Sequence, residues 1–527
     1  GMLDEAAFEP LRRYLREDRD GLKRWQLANR IADVFDRYQL YRPALLGDWD
    51  AGQGGDWQAA LWRRLTGDLE QHRVAVIERL LQRLSSGSES GRLPERVSLF
   101  AVSSLPPLLV EVIHALALHT SVDCYLHSPT REFWADLVSQ KELARKRLQR
   151  PEEAELWEVG NSLLGSWGRQ GQALQDLLLA RETPLFELDV FREPVGRNLL
   201  ERVQQDIYTL RPAPPGDARA ACDPDGSVQV HVCHSGLREC QVLHDALLDM
   251  LERDPALRPE EILVMVPETS RYAPYVEAVF DRDGAGSRPF IPWNLSDISL
   301  RDEHPLVRVF LQLLDLPNSR FSHSEVVSYL EIGELAGHFG LDGEAVAQIR
   351  DWLAQARLRW GLDGRHKQRL GLPALEENTW AQAEQRLFGG YALGAGARFQ
   401  GIAPIPSVEG TRGEALGRFW RLLSRLVDTA ERLSPPRRIE AWQATIGQML
   451  GDFFGETEDR EGRLQKIRDA LAELAAQAGE LDEAVPLPLV RQWLEQRLGS
   501  EGRRGRYFSG GVTFCGMRPM RSLPFKV

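Results

Sequence analysis

Asp33, Asp36 and Arg37 fall at i, i+3 and i+4 of a segment in which Ile31, Val34, Phe35 and Tyr38 mark the buried side of a helix, so the three charged groups share one face. Arg42 follows at the helix end, just before Pro43. Taken alone, Asp33 and Arg37 read as an ordinary i,i+4 surface ion pair, worth about a few tenths of a kcal/mol. Two stretches are locally basic although the chain carries a net charge of -12. Residues 11–30 hold Arg12, Arg13, Arg16, Arg19, Lys23, Arg24 and Arg30 against Glu17, Asp18 and Asp20. Residues 501–527 hold Arg503, Arg504, Arg506, Arg518, Arg521 and Lys526 against Glu501. Cations so grouped can track phosphates, and on charge alone they fit solvated helix faces and loop ends equally well.

Phosphoryl-transfer chemistry lacks its parts. The lysines are Lys23, Lys141, Lys146, Lys367, Lys466 and Lys526, and none follows a glycine, so there is no GxxxxGK[ST] loop to cradle the β and γ phosphates. His231, Cys233, His234, Cys240 and His244 are metal-ligating types, but they cross a strand, a turn and a helix without CxxC or HxxxH spacing, and no metal site is expected. The carboxylate pairs Asp4-Glu5, Asp302-Glu303 and Asp482-Glu483 follow no buried strand and read as solvated. Trp25, Trp293, Trp360 and Trp380 have the rings to stack on bases, and core packing explains each as well.

The elements that position these residues follow from periodicity. At 527 residues the chain is too long for one ordinary domain. No apolar run approaches a membrane span and no secretory leader is evident, so the expected setting is cytoplasmic, in keeping with five scattered cysteines. Residues 5–95 read as helices interrupted at Pro43 and at Gly52 to Gly55. Arg96 to Val102, a helix from Pro106-Pro107 to His119, and Val122 to Leu126 read as a βαβ unit of buried strands. A charged, mostly helical region runs to Tyr208, and Arg211-Pro-Ala-Pro-Pro-Gly216 is a linker. Beyond it, Ser227 to Cys233 and Glu261 to Val266 read as strands alternating with helices Arg238 to Arg253 and Tyr272 to Phe280. Residues 305–500 return to helices, broken at Pro317, Gly361 to Gly364, Gly389-Gly390, the Gly394-to-Pro406 loop and Pro435-Pro436. Val512 to Cys515 and Phe525 to Val527 read as two further strands around a proline-containing loop.

Several segments, in order, resemble the RecC family, the γ subunit of exodeoxyribonuclease V (the RecBCD complex). They are Trp25-Gln-Leu-Ala-Asn-Arg-Ile-Ala-Asp-Val-Phe-Asp-Arg-Tyr-Gln-Leu-Tyr-Arg-Pro43, Ser103-Ser-Leu-Pro-Pro107, Gly160-Asn-Ser-Leu-Leu-Gly-Ser-Trp-Gly168, His231-Val-Cys-His-Ser235, Val264-Met-Val-Pro267, Arg359-Trp-Gly-Leu-Asp363, Asn378-Thr-Trp380 and Met520-Arg-Ser-Leu-Pro-Phe-Lys-Val527. Each motif alone is weak; their joint order is specific.

The resemblance implies an α/β fold with large all-α insertions, an inactive superfamily 1 helicase-like plan of two P-loop-NTPase-like cores each carrying a helical insertion. Its expected parts are a helical insertion on the DNA-channel side (2–95), the rest of the first core with a helical region and linker (96–215), the second core (216–304), a second helical insertion (305–505) and a returning strand (506–527). Phe100-Ala-Val-Ser-Ser104 stands where an active helicase would place its Asp-Glu pair, and Pro524 and Ser522 stand in the Arg521-Ser-Leu-Pro-Phe525 segment for an acidic residue and a glycine. The implied function is a non-catalytic DNA-binding and scaffold subunit of an ATP-dependent helicase-nuclease in double-strand break repair and recombination. It guides unwound strands and scans for Chi. Its partners are the RecB and RecD subunits, double-stranded DNA ends and single-stranded DNA, with no membrane. ATP and magnesium belong to the partner subunits, and no cofactor is expected here. Asp33, Val34, Asp36, Arg37, Arg42 and Arg73 match positions lining the Chi-scanning channel, where carboxylates accept from cytosine amino groups and arginine donates to guanine or phosphate. Phosphate contacts are expected from Arg24, Arg30, Arg503, Arg504, Arg506, Arg518 and Arg521. The family also has about a hundred residues ahead of this region and a nuclease-like C-terminal domain after it. The competing classes are an active RecB- or AddB-like motor or nuclease, which would need the missing glycine-lysine loop, and a helical interaction protein unrelated to DNA, which the α/β segments disfavour.

Overall fold

The computed structural model describes residues 2–18, 20–67, 72–87, 93–100, 102–149, 151–152, 157–180, 188–212, 225–281, 290–296, 305–394, 398, 401–455, 458–479, 482–500, 510–517 and 523–527. They are mostly helical, with small sheets of parallel pairing. The chain divides into two compact units: 1–17, 26–294 and 508–527 form the first, and 18–25 with 295–507 the second.

In the first unit, helices Glu9–Tyr14, Leu22–Tyr41 (from residue 26 onward), Pro43–Asp50, Trp57–Thr66 and Arg73–Ser85 precede the first sheet. Their shared core is aromatic. Phe35 meets Trp49 and Trp62 edge-on at ring separations of 6.2 and 5.5 Å, over Phe8, Leu46 and Val74. The break at Pro43 ends one helix and starts the next, because proline lacks an N–H but suits a first helical turn. Strands β1 (Arg96–Phe100) and β2 (Ser121–Tyr125) pair in parallel, Arg96 opposite Ser121, across the helix Pro107–Ala117. This is a βαβ unit, but not a buried one: β1 alternates exposed and half-buried residues, and Phe100 is 74% exposed. Among the described residues the helix Pro107–Ala117 packs on this pair, and two strands alone cannot enclose the other face.

The second sheet has the order β3-β5-β4, with β3 (Leu263–Val266), β4 (Trp293–Leu295, its last residue counted with the second unit) and β5 (Val512–Gly516). β5 pairs in parallel with β3, Leu263 opposite Thr513, and its residues Val512 to Cys515 are buried beneath Phe280 and Trp293, whose rings meet Phe514 at 5.1 and 6.3 Å. On the other edge of β3, the Leu263 N–H donates to the Val527 carbonyl at 2.9 Å and the Lys526 N–H to the Glu261 carbonyl at 3.0 Å. Phe525 to Val527 thus lies in strand-like register without being a full strand. Ser227 to Cys233, expected as a strand, is none: among the described residues no backbone–backbone hydrogen bond joins it to a neighbouring segment, and Val230 and Val232 are 86% and 95% exposed.

The second unit is helical. Helix Arg412–Leu433 buries Leu416, Phe419, Leu423, Leu426, Ala430 and Leu433, a stripe at three- and four-residue spacing, and helix Ile439–Phe454 buries Trp442, Ile446, Met449, Leu450 and Phe453. Gly455, at φ 64°, ends the latter in the left-handed conformation glycine adopts without strain. Gly389-Gly390, expected as a break, is instead inside helix Trp380–Leu393. A Cβ on Gly390 would lie 1.8 Å from the Ile405 carbonyl oxygen, so this glycine admits a crossing backbone rather than a turn.

Candidate nucleic-acid interface

The candidate face is built on helix Leu22–Tyr41. Its first turn is held by carboxylates: the N–H groups of Lys23 and Arg24 donate to Asp18 at 3.1 and 3.0 Å, and that of Leu22 to Asp20 at 3.2 Å. Arg24 and Arg30 are exposed. On the solvent side stand Asp33, Asp36 and Arg37, while Val34 turns inward against the Phe35 core. At the C-terminal end the Arg42 N–H donates to the Tyr38 carbonyl at 2.8 Å, and its guanidinium carbon sits 5.9 Å from the Tyr38 ring centroid.

Arg73 reaches this face from helix Arg73–Ser85. His72 caps that helix, its Nδ1 accepting from the Ala75 N–H at 3.3 Å, while its Nε2 lies 3.4 Å from Asp50. The Arg73 N–H donates to Gln39 Oε1 at 3.1 Å, and its guanidinium pairs with Asp36 at 3.0 Å. Asp36 and Arg73, far apart in sequence, therefore form one exposed, half-solvated pair. Asp33 and Arg37 form no ion pair among the described residues, so the local i,i+4 expectation gives way to a pairing between helices. Gln39, which orients the start of the Arg73 helix, carried no signal in the sequence; glutamine on a helix flank is an ordinary surface residue. The face thus presents two carboxylates and three guanidinium groups, acceptors and donors of the kind base edges and phosphates use.

The other expected positions are placed as follows. Arg503, Arg504, Arg506, Arg518 and Arg521 lie outside the described residues. Lys526 pairs with Glu261 at 2.9 Å, and the Arg258 N–H first, then Lys526, hold that carboxyl below its ordinary range. Among the described residues no group of three or more His, Cys, Asp or Glu is placed to hold a metal ion. His231 bonds Gln229 in solvent at 3.1 Å, whereas His244 is buried edge-on to Phe280. Cys240 is buried, and burial followed by the Glu239 charge pushes its thiol up to about 11.

These features define a mostly helical protein with small sheets of parallel pairing and a charged, exposed helix face. Residues 1–210 match the family model described as RecC, N-terminal domain, and residues 303–502 match RecBCD enzyme subunit RecC fourth domain. The chain is 34% identical to the RecBCD enzyme subunit RecC of Escherichia coli strain K12, over all of this chain and 51% of that protein. It is 28% identical to the Haemophilus influenzae subunit over all of this chain and 52% of that protein. With the Mycolicibacterium smegmatis subunit the identity is 32%, over 96% of this chain and 47% of the relative. The chain belongs to the RecC family, and it spans about half the length of the curated relatives it matches. No described helix is long and apolar enough to cross a membrane.

Proposed function

We propose that the chain is part of a DNA-handling scaffold subunit of a RecBCD-type helicase-nuclease, acting in the cytoplasm with RecB and RecD subunits during double-strand break repair. The observation that carries this reading is the pair of RecC family models that together span most of the chain. In it, both α/β cores are superfamily 1 helicase-like but inert, because the phosphate-binding lysine and the magnesium carboxylates have no counterpart in the sequence. Helical residues 2–95 and 305–505 are the insertions of the cores 96–215 and 216–304, with 506–527 returning to the second. ATP and magnesium are used by the partners, and this chain positions double-stranded ends and the separated strands. Asp33, Asp36, Arg37, Arg42 and Arg73 contribute to reading Chi on the strand ending 3′, and Arg24, Arg30 and the arginines of 503–521 contact phosphates.

The test is assembly. The full-length protein mixed with purified RecB and RecD subunits should form a stable complex whose DNA-dependent ATP hydrolysis and unwinding exceed those of the partners alone, while the protein by itself hydrolyses no ATP. Hydrolysis by the isolated protein that is lost on mutating its own residues would instead establish an active motor.

A further inference from the structure

Trp167 is 80% exposed, although it ends a helix, Ser162–Trp167, that is otherwise firmly seated. Asn161 is buried and caps that helix, accepting from the N–H groups of Leu163 and Leu164 at 3.1 Å each and donating to the Arg211 carbonyl at 3.0 Å. The next residue, Gly168, lies so close to the buried Trp134 ring that a Cβ would come within 2.7 Å of it. Trp134 is fixed in turn: its indole N–H donates to Gln175 at 2.7 Å, and Gln172 donates to the carbonyls of Trp134, Ala135 and Leu137. Phe133, just before Trp134, is 73% exposed. One buried contact, Trp134 on Gly168, therefore carries an exposed aromatic ring on the neighbouring residue of each of its two segments.

Helix Gln140–Gln149, which meets this corner through Glu142, carries four basic residues to one acidic. Arg169 leaves the Trp167-Gly168 corner and reaches helix Gln140–Gln149, where it pairs with Glu142, the single acidic residue of that helix, and donates to Ser139 just before it at 3.1 Å. With Glu142 so engaged, the exposed Lys141, Arg145 and Arg147 of the same helix have no acidic partner among the described residues. Exposed rings that any base can stack on, beside cations free to meet phosphates, are the two components of sequence-tolerant single-strand binding. A protein partner would satisfy the rings but would have to bring its own carboxylates to the free cations.

We propose that Trp167 and Phe133, with Lys141 and Arg145, form a stacking and phosphate-contact site for single-stranded nucleic acid, separate from the 33-to-42 face. This rests on the DNA-handling reading and adds a location to it. Neither ring is needed for packing, so Trp167→Ala should leave the melting temperature unchanged.

The experiment is a salt titration of the chain with a dye-labelled oligothymidylate, followed by anisotropy. Trp167→Ala should weaken binding about tenfold and Trp167→Phe by much less, since a ring is retained. Lys141→Ala with Arg145→Ala should lower the salt slope by about 1.4, the value for two phosphate contacts on a single strand. If the wild-type chain binds and all variants stay within twofold of it, the site is wrong while the DNA-handling reading stands. If the wild-type chain does not bind oligothymidylate at low salt, the site is equally overturned, and assembly with the partner subunits remains the separate arbiter of function. Unchanged oligonucleotide binding by Trp167→Ala with weakened assembly would reassign the surface to a protein partner.

Discussion

Asp36 and Arg73 are each about half exposed, so their pair lies in water-like dielectric and its loss costs little stability. Asp36→Ala should lower unfolding free energy by about 0.5 kcal/mol or less in urea titration; a loss several times larger would mean that the pair holds the two helices together. The contrast is Gly390. Its Cβ would meet the Ile405 backbone, whereas nothing lies within 4 Å of a Cβ on Gly389. Gly390→Ala should therefore cost about 2–3 kcal/mol from overpacking, while Gly389→Ala should be neutral or stabilise by up to about 1 kcal/mol through helix propensity. Equal effects in thermal melts would remove the crossing-backbone explanation. Sequence shows a glycine pair; only the crossing chain distinguishes its members.

Among the elements, amphipathic helices were the most legible, because Leu27, Ile31, Val34, Phe35 and Tyr38 repeat at helical spacing whatever packs on them. Strands were less so. Ser227 to Cys233 alternates like a strand yet pairs with no described neighbour, since strand formation depends on a second segment that local pattern does not reveal. The candidate face divided the same way: Asp33, Asp36 and Arg37 could be placed on one helix side from spacing, but the Asp36–Arg73 partnership arises from how two helices pack. The segment 359–380 shows a further layer. His366, within the Asp363-capped helix Gly364–Arg369, and His323 both titrate below the ordinary histidine value, first because burial disfavours the charged ring and then because of nearby arginines, Arg369 and Arg359 respectively. The unfolded chain then binds more protons than the folded one below about pH 6.5, so these residues' contribution is intact above that pH and is lost as pH falls toward their folded values. Melting of the chain should thus drop between pH 7 and 5, and His366→Gln should reduce that slope; an unaltered slope would exclude His366 as a source.

For the molecule as a whole, the α/β segments separated by long helical runs could be read from the sequence, and the family could be recognised from ordered motifs. The strand order β3-β5-β4 could not, because which strands become neighbours is decided by packing rather than by local pattern. The central proposal is that a helix face of this chain reads bases while its partners do the chemical work. The direct measurement places Asp36→Ala and Arg42→Ala in the reconstituted full-length complex and compares Chi-containing with Chi-free DNA. The proposal predicts an altered Chi response, with discrimination reduced by roughly 1–3 kcal/mol per lost base contact, and unwinding of Chi-free DNA nearly intact. Equal loss on both DNAs, or a large fall in melting temperature, would contradict it and make the face a structural one.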